Sequence, residues 1–356
     1  MASSKTTLRF LKNKPAVFGL ILIVLFLLLA IFAYVVAPDN TVFANRQIIE
    51  LSSKPPGTKF TLLKLPLNKI IANNTIPFLN GYTDNFKYIP LNNYTLSADS
   101  LVVTQYISED TSTLNSYTKT NLGVSNLNNA LVQKTYFLGT DKLGRDILSR
   151  LIVGTRVSLM VGLIAVVISL ILGVLLGLFA GYYGGFLDAC IMWLINVVWS
   201  IPTILLVFAF TILLGKGAWQ VFIAVGLTMW VNVARLVRGQ VLEVKNLQYI
   251  EAAKVLGFSN LRIMLKHILP NIVGPIMVMA AANFATAIVL EAGLSFLGIG
   301  VQAPQPSWGL MIKENYNLII TNQAMLALAP GFAIMLLVLA FNMVGNGLRD
   351  ALDVKG

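Results

Sequence analysis

The run Ala16–Val36 contains no charged residue and is long enough to cross a bilayer as a helix. Five more apolar runs follow, near Leu159–Ala180, Ala189–Leu214, Gln220–Ala234, Asn271–Leu290 and Ala324–Val344. The expectation is an all-α polytopic membrane protein with six transmembrane helices. Composition agrees: 56% of the 356 residues are hydrophobic and 12% charged, with a mean hydropathy of +0.76. A soluble domain carries about a quarter charged residues, so lipid is the solvent for much of this surface.

The net charge of +11 does not point to nucleic acid. Basic residues crowd beside the apolar runs and in one central loop, the pattern of cytoplasmic flanks facing anionic headgroups. The single Cys190 excludes an intrachain disulfide framework, and one His267 beside one cysteine argues against a His/Cys metal site. Lys5, Arg9, Lys12 and Lys14 precede the first run in the manner of a signal peptide. The run is too long for a signal core and lacks a small-x-small end before Pro38-Asp39, so it reads as a retained helix with a cytoplasmic N-terminus.

Six spans put both termini in the cytoplasm, and the loop after the fourth span then lies inside with Arg235, Arg238, Lys245, Lys254, Arg262 and Lys266. Lys142, Arg145, Arg150 and Arg156 fall outside and conflict with that orientation; Asp141 and Asp146 are expected to offset them. Three segments follow: a cytoplasmic N-terminus with helix 1 (1–39), an extracytoplasmic insert (40–135) and the remaining transmembrane domain (136–356).

The insert is rich in Asn, Thr, Ser and Tyr, with Pro55-Pro56-Gly57 as a breaker. Lys59–Leu65 and Leu101–Ile107 favour strands by residue type, which predicts a small β-containing domain; a disordered loop is the alternative. Asn73-Asn74-Thr75 and Asn93-Tyr94-Thr95 match the short glycosylation pattern, which arises often by chance. In the second span Gly173, Gly177 and Gly181 repeat at GxxxG spacing, either for close helix packing or for flexibility alone. Gly184-Gly185 should end that helix, Asp188 should cap the next, and Pro202 should kink the third span.

The central loop, Gln248–Pro270, reads as two short helices, Ile250–Leu256 and Asn260–Ile268, broken at Gly257, which permits the positive φ of a tight turn. Glu251, Ala252 and Ala253 give a smooth surface with one anionic anchor, and Pro270 suits the first turn of the next helix. An ordinary amphipathic loop on the membrane surface is the plain alternative. The residue order instead resembles the EAA loop of ABC importer permeases: Glu251, Ala252, Ala253, Gly257, then Leu269 and Pro270, with His267 where a hydrophobic residue is usual. That histidine, Leu138–Asp146 with Ser149-Arg150, Leu290–Gly298, Pro306–Gly309 and the ending Asn346–Asp350 are similar to the second permease of dipeptide and oligopeptide importers (DppC/OppC type). The resemblance does not reach the insert.

What the resemblance implies is the type I ABC importer permease fold in a bacterial inner membrane. It also implies a homologous sister permease, two cytoplasmic ATPase subunits carrying ATP and Mg, and an extracytoplasmic solute-binding protein. The chain itself has no GxxxxGK[ST] and should be neither ATPase nor holder of a cofactor. The residues Glu251, Ala252, Ala253, Gly257, His267, Leu269 and Pro270 would couple to an ATPase. Glu291, an acidic residue in a predicted span, is a candidate for a gate or assembly contact, or it reaches headgroups. Trp308 reads as an interfacial anchor or a contact to the binding protein. Nickel or another small solute is the alternative cargo; an ion-coupled secondary transporter would need midplane carboxylates or broken helices.

Overall fold

The computed structural model describes residues 2–67, 76–97, 100–122, 127–215, 217–320 and 323–352, so Asn73-Asn74-Thr75 lies outside the described residues. The helices are α1 (Ala2–Lys12), α2 (Lys14–Ile31), α3 (Ile147–Tyr183), α4 (Gly185–Trp199), α5 (Thr203–Leu214), α6 (Ala218–Val244), α7 (Gln248–Val255), α8 (Asn260–Phe296), α9 (Trp308–Asn315) and α10 (Met325–Leu352). The strands are β1 (Thr58–Pro66), β2 (Phe86–Leu96), β3 (Ser100–Tyr106), β4 (Ser112–Thr118) and β5 (Leu131–Tyr136). Among the described residues five helices are long and apolar enough to cross a membrane: α2, α3, α6, α8 and α10. The count is six if the bent pair α4 and α5 forms one crossing.

That pair corrects the expected third span. Ala189–Leu214 is no kinked helix; it breaks at Ser200–Pro202 and turns by 91°. Pro202 has no N–H for the ladder and disfavours helix at Ile201 before it. The expected fourth span, Gln220–Ala234, is also too short. Arg235, Arg238 and Glu243 end its hydropathy, but the helix runs on to Val244. Val233, Val237 and Val241 recur at one-face spacing and are fully buried, so packing holds the last turns where composition would stop them.

The chain divides into two compact units. The first comprises residues 1–27, 157–302 and 333–356. One of its close helix contacts lies along the glycine stripe of α3. A methyl added to Gly177 would fall 2.6 Å from the Ala234 carbonyl oxygen and 2.7 Å from Val237 Cβ. One added to Gly181 would fall 2.7 Å from Val241 Cβ. Helices α3 and α6 therefore meet backbone to side chain, where only hydrogen fits. Phe284 on α8 stacks on Phe341 of α10 at 3.9 Å between centroids, and Asn13 donates to Asp350 near the end of α10. Gly184 and Gly185 take positive φ and end α3 as expected. Asp188 does not cap α4, whose first turn has no side-chain cap; it binds Arg238 of α6 through two hydrogen bonds of 2.6 and 2.7 Å.

The second unit comprises residues 28–156 and 303–332. It carries a five-stranded antiparallel sheet in the order β4-β3-β2-β1-β5. The expected strands Lys59–Leu65 and Leu101–Ile107 fall on β1 and β3, and Asn93-Tyr94-Thr95 lies on β2 beside a bulge. Side chains alternate along β1. Leu63 packs with Ile89, Leu91, Leu101 and Val103, while its neighbour Leu62 packs with Ile48, Leu51 and Tyr136. Both faces are thereby covered at β1, whereas β4 has no buried residue.

Three of the four charges that conflicted with the expected orientation are bound within this unit; Lys142 is exposed. Arg145 donates to Asp141 at 2.6 Å and to Glu314 of α9 at 2.8 Å. Arg150, fully buried, donates to the same Glu314 oxygen at 3.1 Å and lies 3.8 Å from Asp141. Arg156 donates to the carbonyls of Ala30, Ile31 and Leu79. Asp146 does not offset these cations: its ion-pair partner is Lys134 at 3.8 Å, and it accepts from Ser149. Burial pushes the Asp146 carboxyl up and the Lys134 ammonium down, so desolvation outweighs their attraction.

Removing one member of a buried ion cluster strands the others. We expect Glu314→Leu to lower stability by about 3 kcal/mol, because Arg150 would keep only the distant Asp141. Adding Arg150→Met should restore most of the loss. Thermal unfolding of the detergent-solubilised chain reads both; equal melting of Glu314→Leu and wild type would contradict the account.

Candidate functional site

The central loop is built on the first unit. Helix α7 turns Ile250 and Ala253 inward, where they join Val237 and Val241 of α6 and Ile263, Met264, Ile268 and Ile272 of α8 in one buried cluster. The i, i+3 spacing that buries Ile250 and Ala253 leaves Glu251, Ala252 and Lys254 exposed. Thus only two residues of the Glu-Ala-Ala triplet face outward; the third anchors it.

Gly257 closes the helix at φ +76°. Its N–H donates to the Lys254 carbonyl at 2.9 Å, and the Phe258 N–H donates to the Ala253 carbonyl at 3.1 Å. This is the paired-bond helix ending that requires a left-handed residue at the Gly257 position. The chain re-enters helix three residues later, where Ser259 Oγ accepts from the Arg262 N–H.

Past this cap the expected second helix, Asn260–Ile268, does not stop: it continues through Pro270 into α8. Proline in a helix deprives a preceding carbonyl of its donor. Residues Met264–Ile268 form a π turn, with the Leu269 N–H donating five residues back to Met264. That wider turn lets the loop and the apolar span join as one helix. Leu269 is half-buried against the cluster, Pro270 is exposed, and the His267 ring stacks on Phe258 at 5.7 Å.

Polar contacts fasten the base of the loop. Besides the Asp188–Arg238 pair, Lys245 Nζ donates to the Gly181 carbonyl at 2.9 Å. Tyr182 donates to Asn260 at 2.8 Å, and Asn271 donates to Tyr249 at 3.0 Å. A charged two-point bond is geometrically specific, so α4 is pinned to α6 beneath the loop, and Tyr182 ties the loop itself to the end of α3.

The exposed side is more apolar than the triplet alone implies. Val255 is 88% exposed, Leu256 71% and Leu261 58%. They flank Gly257 among Glu251, Lys254 and Arg262. Contiguous exposed aliphatic side chains rimmed by charge mark a contact surface. The sequence carried a signal for Val255, which falls off the Ile250–Ala253 face; Leu256 keeps the three-residue spacing from Ala253 and is exposed because the helix ends there. The arrangement is an exposed aliphatic surface with charged neighbours, held on a buried cluster.

The other candidate residues lie elsewhere. Glu291 is fully buried in α8 and accepts from Ser295 Oγ at 2.7 Å. Ser295 Oγ in turn accepts from the Val301 N–H at 3.0 Å, tying down the turn after α8. Trp308 is buried in the second unit, with its indole N–H donating to the Leu151 carbonyl at 3.0 Å. Neither is brought to the loop.

Two family profiles match the chain. Residues 173–355 match the binding-protein-dependent transport system inner membrane component. Residues 5–56 match the N-terminal TM domain of oligopeptide transport permease C. The chain is 41% identical to the oligopeptide transport system permease protein OppC of Bacillus subtilis over 222 residues, covering 62% of this chain and 72% of that one. It is 44% identical to the dipeptide transport system permease protein DppC of Alkalihalophilus pseudofirmus, with 62% and 72% covered. With the glutathione transport system permease protein GsiD of Shigella flexneri it shares 46% identity, with 65% and 75% covered. A slight structural likeness, TM-score 0.48 at 18% identity over 57% of this chain and 95% of the other, links it to the MetNI methionine ABC transporter.

Proposed function

Because the chain belongs to the family of binding-protein-dependent transport system inner membrane components, we propose that it is one permease of an ATP-driven importer whose cargo is peptides. The relatives named above are permeases for oligopeptides, dipeptides and glutathione. All three cargoes carry amide linkages and free carboxylates, and that shared chemistry is the cargo class assigned here. The six-crossing topology follows if α4 and α5 together cross once, which puts both termini and the central loop in the cytoplasm.

The observation that carries the reading is the exposed surface of α7 and its Gly257 cap. In this reading Glu251, Ala252, Val255 and Leu256 seat in a separate ATPase subunit, which supplies ATP and Mg chemistry. Closure of that subunit then biases the same two-state equilibrium that the cargo biases from the other side. A sister permease completes the pore, and a solute-binding protein delivers cargo to the extracytoplasmic face.

The test uses the complete transporter in proteoliposomes with labelled tri-alanine. Glu251→Ala should leave the permeases assembled but either release the ATPase or let it hydrolyse ATP without uptake. Wild-type uptake and wild-type ATPase retention in Glu251→Ala would overturn the coupling role. Failure of the intact transporter to move tri-alanine or glutathione would overturn the cargo class.

A further inference from the structure

A cavity of about 140 Å³ opens within the first unit beside the break between α4 and α5. Its walls are Val198, Trp199, Ile201 and Leu206 from the broken pair, Met229 and Val231 from α6, and Leu290 from α8. Polar groups converge on it from three sides: Thr203, Thr228 with Asn232, and Asn283 with Thr286. An apolar recess with a few placed polar groups is the usual form of a small-molecule site.

Two independent observations give it a ligand. Asn283 is only 4% exposed, lines the recess, and its Nδ2 has no hydrogen-bond partner. A buried amide donor left unmade is unfavourable by about 1–3 kcal/mol, so a partner from outside the chain stabilises it. Beside it, the 91° break exposes the start of α5, which Pro202 precedes with no side-chain cap. Helix N-termini present N–H donors and a positive dipole end, and Thr203, the first residue of α5, lies on the cavity wall.

Behind Trp199 of the cavity wall, the Arg235 guanidinium lies 3.7 Å from the indole ring and donates to Asn196, while its Nε is buried without a partner. The free groups are donors throughout: an amide, a helix start and a guanidinium. Their complement is a ligand rich in acceptors, with carbonyl oxygens along its length and a carboxylate at one end.

The geometry points to this cavity as a cargo-binding site within the membrane domain, with Asn283 donating to a peptide carbonyl and Arg235 drawing the terminal carboxylate. It rests on the proposed import of peptides and adds to it the residues that read the backbone. Because the apolar walls carry no charged side chain, the site accepts many sequences.

The complete transporter, reconstituted with its sister permease, ATPases and binding protein, provides the test with labelled tri-alanine and its C-terminal amide. Asn283→Leu should reduce tri-alanine uptake about tenfold without changing complex recovery or the ATPase rate measured without cargo. Thr286→Phe, which fills the recess from an exposed position, should do the same. Arg235→Gln should narrow the preference for tri-alanine over its amide.

A photoreactive residue at position 286 should label tri-alanine, and excess unlabelled peptide should compete the label away. Crosslinking of position 286 to the sister permease, with no peptide captured, would make the recess an inter-subunit contact and overturn the proposal. So would unchanged uptake in both Asn283→Leu and Thr286→Phe while wild type transports tri-alanine. A wild-type transporter that moves no peptide overturns the cargo reading and this site together.

Discussion

Gly257→Val is expected to reduce peptide uptake by the complete transporter at least about tenfold, with the permease itself still folded. The residue sits at φ +76°, and open space surrounds the position where a side chain would project. The penalty is therefore purely conformational. A side-chain-bearing residue in this region costs about 1–2 kcal/mol, and a β-branched one is a true outlier. The strain is relieved by unwinding the last turn of α7, which frees the Ala253 and Lys254 carbonyls and displaces Val255 and Leu256. Asparagine tolerates this region, so Gly257→Asn should retain most uptake. Uptake and co-purification of the ATPase are the measurements; equal uptake by the valine and asparagine variants would refute the conformational argument.

The second large effect is on folding. Gly177→Leu should remove more than about 3 kcal/mol of stability, above the usual range for overpacked cores. The added Cβ alone meets a backbone oxygen, that of Ala234, at 2.6 Å. A flexible side chain could yield there, but a helix carbonyl moves only with its helix. Helix α6 would have to withdraw, uncovering Val233, Val237 and Val241. Gly177→Ala should show the same direction at smaller size. A wild-type melting temperature for the leucine variant in detergent would show that the stripe is not a packing device.

These two glycines were visible in the sequence because each rests on local rules: a helix ending needs positive φ, and a four-residue repeat keeps one face. The strands near Lys59–Leu65 and Leu101–Ile107 were legible for the same reason. What escaped depends on partners distant along the chain. Nothing near Arg150 announces Glu314, 164 residues away, and nothing near Asp188 announces Arg238. The last turns of α6 were missed because hydropathy averages over all sides, whereas Val237 and Val241 need only one side to be apolar. The isolation of Asn283 emerges only when its neighbours are placed, since an asparagine in an apolar run reads equally well as an ordinary interhelical contact.

The π turn ahead of Pro270 has a mechanical consequence. It lets a single rod of 37 residues, Asn260–Phe296, begin in the loop and end at the turn fixed by Glu291 and Ser295. At 1.5 Å per residue such a rod is about 55 Å long, and a tilt of about 5° pivoted at one end swings the other by about 5 Å. A push at Asn260 is carried to Phe296 along one continuous helix, with Pro270 and Pro275 as the places where it can bend.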